Sequence, residues 1–190
     1  MLKNIDIHIR DPFVLPIEAE QRYYLYGTVG AEAWTNSATG TDYYVSEDLE
    51  NWEGPFPAFR PPEGFWSDRN YWAPEVHVYR GRYYMFMTFK AEGECRGTQI
   101  LMADSPRGPF LPISDEPITP RDWECLDGTL YVDGDNQPWI VFCHEWVQVG
   151  DGEICAIRLS DDLSSTVGEP RLLFHASEAP WADELHAKGR

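Results

Sequence analysis

Three carboxylates stand where a sequence reader looks for chemistry: Asp11 in "IHIRDPFVL", Glu75 in "YWAPEV" and Asp127 in "LDGTLYV". They are 64 and 52 residues apart, and each lies near the start of a short, otherwise strand-like apolar run. Asp and Pro are poor strand residues, so their presence inside such a run marks a turn or a site. Carboxylates that converge in a cleft raise one another's pKa, which is how acid and base pairs are made. Arg10, next to Asp11, is expected to pair with a channel carboxylate and keep it ionised. Each site carries a plainer reading. Asp11 can start an Asp-Pro turn, Asp127 can accept from the amides of Gly128 and Thr129, and Glu75 can form a salt bridge at a strand entrance.

Positioning these groups falls to a repeat. "YYLYGT" (23–28), "YYMFMT" (83–88) and "PWIVFC" (138–143) are equivalent apolar strands. "YYVSEDLENW", "ILMADSPRGPF" and "CAIRLSDDLSS" follow them, each a strand ending in an Asp/Ser turn. "IRDPFVL", "APEVHVY" and "LDGTLYV" precede them. The period is about 55 to 60 residues. Short strands bounded by Gly, Pro, Asp and Asn, repeated at this spacing, predict an all-β fold: a β-propeller whose blades are four-stranded antiparallel sheets. "RGR" at 80–82 and "GDNQP" at 134–138 link the first two strands of their units. Blade one covers about 9–60, blade two about 70–120 and blade three about 124–175, with 176–190 the start of a further blade or a tail. Propellers have roughly 4 to 8 blades. The whole chain therefore reads as a single partial propeller domain, truncated to about three blades and open to self-association at its edges. Helical periodicity is nearly absent, apart from a turn or two near "SEAPWADELHA".

Composition narrows the partners. A net charge of −17 argues against nucleic acid and anionic membranes. The chain holds 8 Trp, 10 Tyr and 9 Phe, enough for an all-β core and for rings that stack on flat ligands. Trp34, in the loop "GAEAWTN", and Trp72, before "APE", are candidate stacking platforms, with Phe13 beside them. In "CHEW", His144 and Glu145 alternate along a strand, so one of them faces the cleft. No run of 18 apolar residues and no secretory leader pattern occur, so the expected location is cytoplasmic. Cys95, Cys125, Cys143 and Cys155 have no metal-type spacing and read as free thiols in a reducing compartment.

Together, "RDPFVL" (10–15), "SEDLENW" (46–52), "YWAPEV" (71–76), "ADSPRGPF" (103–110) and "LDGTLYVDGDNQPWIVF" (126–142) resemble the family 43 glycoside hydrolases, five-bladed propellers that cleave arabinose- and xylose-containing glycans. The resemblance implies that Asp11 is the general base on water. It implies that Asp127 tunes the acid's pKa and orients the sugar. The family's acid is a glutamate of the next blade, usually before Gly-Pro. "SEAP" (177–180) lacks the glycine, so the acid is expected beyond this chain, with Glu145 the candidate within it. Substrate contacts are expected from Arg10, Phe13, Trp34, Trp72, Glu75 and His144. No cofactor or metal is expected here, although full-length members often hold a calcium or sodium ion in the channel through a last-blade histidine. The implied function is inverting hydrolysis of O-glycosyl bonds in plant-type glycans. The alternatives are a catalytically inactive carbohydrate-binding segment, or a retaining sucrose- or fructan-cleaving relative, which needs an early "NDP"-like nucleophile.

Overall fold

A computed structural model of the chain describes residues 1–181. It is built from three antiparallel sheets. The first contains β1 (Leu2–Lys3), β2 (Ile9–Ile17), β3 (Arg22–Val29), β4 (Thr41–Ser46) and β5 (Asn51–Phe59), ordered β1-β5-β4-β3-β2. The second is β6 (Arg69–Tyr79), β7 (Arg82–Lys90), β8 (Gly97–Ala103) and β9 (Leu111–Pro112). The third is β10 (Cys125–Val132), β11 (Pro138–His144), β12 (Glu153–Leu159) and β13 (Thr166–His175). The second and third sheets each pack their innermost strand against the sheet before: β6 on β2 and β3, β10 on β6, β7 and β8. These are three consecutive blades of a β-propeller, and the fold is all-β.

Turn chemistry explains the sheet connections. Arg80 and Gly81 both have positive φ, 47° and 81°, and join Tyr79 to its partner Arg82 as a two-residue hairpin. Ser46 and Asp48 accept from the amides of Leu49 and Asn51, at 2.9 and 2.8 Å, and fold "SEDLEN" into a tight turn. "SDDLSS" repeats the device, with Ser160 accepting from the Ser165 amide and Asp162 from that of Ser164. In the first turn, the Asn51 amide and side chain, with the Glu50 amide, hold the Asp48 carboxyl far below the usual range.

Two cores lie between the sheets. Met85, Met87 and Phe89 of β7 point toward the first sheet, among Tyr24, Tyr26, Phe59 and Tyr71. Tyr84 and Phe86, alternating with them, point toward the third, among Ile140, Phe142, Ile157 and Leu163. A strand buried on both faces loses its polar alternation, which is why "YYMFMTF" reads as continuously apolar. On β13, by contrast, Leu172, Leu173 and Phe174 are exposed. Cys125 and Cys155 are buried in the second core, Cys95 and Cys143 are half-buried, and all four are free.

Two details differ from the sequence reading, and a third falls partly outside the described residues. Leu2 and Lys3 add a fifth strand to the first sheet by pairing with Trp52 and Asn51; two residues are too short to show a period. A four-residue helix, α1 (Trp146–Val149), follows β11. In "SEAPWADELHA" the described part holds the end of a single 3₁₀ turn, Ala176–Glu178, and the rest lies outside the described residues. No helix among the described residues is long and apolar enough to cross a membrane.

The inter-blade fit is tight at Gly128 of β10. A Cβ there would lie 2.7 Å from Thr98 Cγ2 and 2.9 Å from Ile140 Cδ1, both on fully buried side chains. Gly128→Ala is expected to cost about 1–3 kcal/mol and to lower the melting temperature in scanning calorimetry. An unchanged melting temperature would mean the two blades are less closely fitted than this.

Candidate active site

The site is made by a fault repeated in each innermost strand. β2, β6 and β10 each break register with their neighbour, between Arg10 and Phe13, Trp72 and Glu75, and Leu126 and Thr129. Within each break one non-glycine residue has positive φ: Asp11 at 49°, Ala73 at 44° and Asp127 at 53°. Such bulges bend a strand and re-aim a side chain, and aspartate tolerates the left-handed conformation better than most residues. Asp11 and Asp127 thereby turn out of their sheets into one cleft.

This geometry corrects the equivalence read from the sequence. The counterpart of Asp11 and Asp127 in the second blade is Ala73. Glu75 lies two residues further on, level with Phe13 and Thr129. Thr129 donates to its Oε2 at 2.6 Å, and His77 Nε2 lies 3.2 Å from the same oxygen. Burial works against the Glu75 charge, but the bonds from His77 and Thr129 prevail and hold its carboxyl below the usual range. Phe13 packs on His77, with ring centroids 5.6 Å apart. Neither Phe13 nor Glu75 lines the cleft. Glu75, His77 and Thr129 are thus bonded to one another. Among the described residues no group of three His, Cys, Asp or Glu side chains is arranged to hold a metal.

The cleft, about 240 Å³, is lined by Asp11, Asp127 and Glu145, by Trp34 and Trp72, and by Arg10, Thr28, Ala33 and Leu126. Its wall is a ladder of rings and guanidiniums. Arg10 lies 5.0 Å over Trp34, Trp34 meets Trp72 edge-on at 5.1 Å, and Arg96 lies 4.9 Å over the other ring, Trp72. Trp72 Nε1 donates to the carbonyl of Ala33 at 2.7 Å. Trp34 is 71% exposed, so its ring is free to meet a ligand. Arg10 therefore does not pair with a carboxylate as expected: among the described residues it forms no ion pair, because its guanidinium is occupied on Trp34. A larger groove, about 520 Å³ between Ser114–Arg121 and Ser164–Pro170, has no aromatic lining, and Asp115, Glu116 and Glu169 stand in solvent there.

His144 is placed away from the cleft. It is 6% exposed, stacked on Trp123 at 4.1 Å, with its ring nitrogens 2.9 Å from Glu153 and from Gln148. β11 ends at His144, and Glu145 caps α1, so the two do not alternate in a strand. Glu145 turns to the cleft and pairs with Arg96, which also lies 3.6 Å from Glu124. Asp127 is open to solvent at the mouth yet crowded by protein and by charge. Burial first, then Asp11, Glu75 and Glu145, push its pKa up to about 6, against the pull of Arg96. Nor is it the turn acceptor for Gly128, whose amide donates to Thr98 Oγ1 at 3.1 Å.

The sequence model of the glycosyl hydrolases of family 43 matches residues 5–188. The chain belongs to this family. It is 44% identical to the endo-arabinase of Bacteroides thetaiotaomicron, whose crystal structure superposes with a TM-score of 0.86 over 95% of this chain and 61% of that one. A thermostable family 43 glycoside hydrolase superposes at 0.76, with 26% identity, over 92% of this chain and 56% of that one. The extracellular exo-α-(1→5)-L-arabinofuranosidase ArbA of Cellvibrio japonicus is 26% identical, over 85% of this chain and 46% of its own length. This family 43 chain thus spans about half the length of the curated relative and three-fifths of the first structure.

The electrostatics of the cleft can be measured. Asp127, followed by carboxyl carbon NMR and assigned by its loss in Asp127→Asn, is expected to titrate near 6. Replacing Asp11 by Asn removes a neighbouring negative charge and is expected to lower that value. The folded value lies above the usual 3.8, so the group's stabilising contribution is present below that pH and lost as pH rises through about 6. Titration near 3.8 with no response to Asp11→Asn would show that the two carboxylates do not share a cleft.

Proposed function

We propose that this chain carries the water-activating base and the tuning carboxylate of an inverting glycoside hydrolase that acts on arabinose-containing glycans. What supports the reading is one observation above others: Asp11 and Asp127 occupy the same bulge of two blades and open into one cleft beside an exposed tryptophan. In this mechanism Asp11 takes a proton from water as it attacks the anomeric carbon. Asp127 accepts from sugar hydroxyls and, at a pKa near 6, adjusts the protonation of a third carboxyl. That third group donates a proton to the leaving oxygen, from about 6.5–9.5 Å across the water site. The apolar face of the sugar lies on Trp34. The arabinase and arabinofuranosidase names of the relatives favour arabinose over xylose.

Glu145 is a poor choice for the acid. A carboxylate paired with a guanidinium is an acceptor, whereas an acid must hold a proton to give. Its pairing with Arg96 favours a structural role, anchoring the guanidinium that braces Trp72. The same pairing supports a second reading, in which the cleft binds arabinosyl units without cleaving them.

Assays on linear arabino-oligosaccharides and on an aryl α-L-arabinofuranoside separate these readings. Asp11→Asn is expected to lower kcat/KM by about 10²–10⁴-fold on both substrates, while calorimetric binding of the oligosaccharide persists. Glu145→Gln is expected to lose no more than about tenfold on either. Loss in Glu145→Gln confined to the oligosaccharide, with the activated aryl substrate spared, would make Glu145 the acid. A parent chain that binds arabino-oligosaccharide and turns over neither substrate would favour the binding reading.

A further inference from the structure

The three equivalent strands "YYLYGT", "YYMFMT" and "PWIVFC" end on residues in register with one another. Thr28 pairs with Arg10, Thr88 with Trp72 and Cys143 with Leu126, each one step before its own blade's bulge residue. Thr28 and Thr88 are almost fully buried. Their hydroxyls reach across to the following blade. Thr28 Oγ1 accepts from the amide of Ala73 at 2.8 Å, and Thr88 Oγ1 accepts from the amide of Asp127 at 2.9 Å. In each case the amide belongs to the positive-φ residue of the next bulge.

Thr28 does one thing more. Its hydroxyl proton points to Asp11 Oδ2, 3.1 Å away. A threonine hydroxyl has one proton to give and two lone pairs. Donating to Asp11 while accepting from Ala73 uses it without conflict. Ala73 has no polar side chain to support its left-handed backbone, so an outside acceptor for its amide matters most there.

We infer that Thr28 is a positioning residue, whose hydroxyl locks the rotamer of Asp11 to the backbone of the neighbouring blade. The inference rests on the reading of Asp11 as the base for its catalytic consequence, and on geometry alone for the tie. The hydroxyl makes the direction of one carboxylate depend on the seating of the second blade. Trp72, the residue before Ala73, is held by the same bulge, so the ring that braces Trp34 and the carboxylate that meets water are placed by one group.

Two variants test this in the full chain. Thr28→Val keeps the shape and removes the hydroxyl; Thr28→Ser keeps the hydroxyl and removes a methyl. Amide hydrogen exchange followed by NMR is expected to show Ala73 exchanging at least about tenfold faster in Thr28→Val, with the Asp127 amide, held by Thr88, unchanged. Thr28→Val is expected to lower kcat by about 10–100-fold with KM within about threefold of the parent, and Thr28→Ser to recover most of that loss. Equal losses of kcat in the two variants would overturn the inference, even if Thr28→Val folds poorly. So would an unaltered Ala73 exchange rate in a folded Thr28→Val chain. If the parent chain turns over no substrate, the kinetic comparison says nothing about the base, and the exchange experiment alone decides whether the tie exists.

Discussion

The hydrogen bond from a bulge amide to a hydroxyl of the preceding blade is the constraint on which the cleft depends. A bulge in the innermost strand breaks the ladder and leaves one amide without its strand partner. In water that amide would be solvated, but here it faces a packed sheet. Thr28 and Thr88 supply the acceptor, and they do so from near the end of a strand whose preceding residues fill the cores. Core packing and the aim of the acidic side chains are thereby connected. The sheets cannot slide on one another without disturbing Asp11 and Asp127.

That constraint explains how the chain keeps carboxylates together. Asp11, Asp127 and Glu145 share a cleft with Glu75 close enough to be felt, an arrangement that repulsion alone would open. The backbone bulges fix the two aspartates, Arg96 takes up Glu145, and His77 with Thr129 takes up Glu75. Asp127 keeps a raised pKa, because burial and its acidic neighbours outweigh the pull of Arg96. Such a group changes protonation in the range where glycosidases work.

Much of this was legible in the residues. Asp11 and Asp127 break strand rules in the middle of good strand patterns, and the structure turns both breaches into bulges. The repeat is also the blade. What the sequence concealed has physical reasons. Glu75 has the same charge as its supposed counterparts, but the bulge position of its blade holds Ala73, whose backbone conformation leaves no mark on composition. His144 and Glu145 looked like alternating strand residues because nothing in "CHEW" announces that β11 stops and α1 begins between them. Arg10 looked like a carboxylate partner because Asp11 is adjacent, while its actual neighbour, Trp34, is remote in sequence. Arg96, a lone arginine in "GECRGT", carries no signal at all, although it braces Trp72 and binds Glu145.

The central claim is that two equivalent bulges place Asp11 and Asp127 around a single sugar-binding point. A crystal structure of the chain soaked with a linear arabino-oligosaccharide tests it most directly. One arabinosyl unit is expected in the cleft, with hydroxyls within hydrogen-bonding distance of Asp127, the anomeric carbon facing Asp11 across a water, and the apolar face on Trp34. A sugar bound instead in the groove between Ser114–Arg121 and Ser164–Pro170, with the cleft of Asp11 and Asp127 empty at saturating ligand, would contradict it.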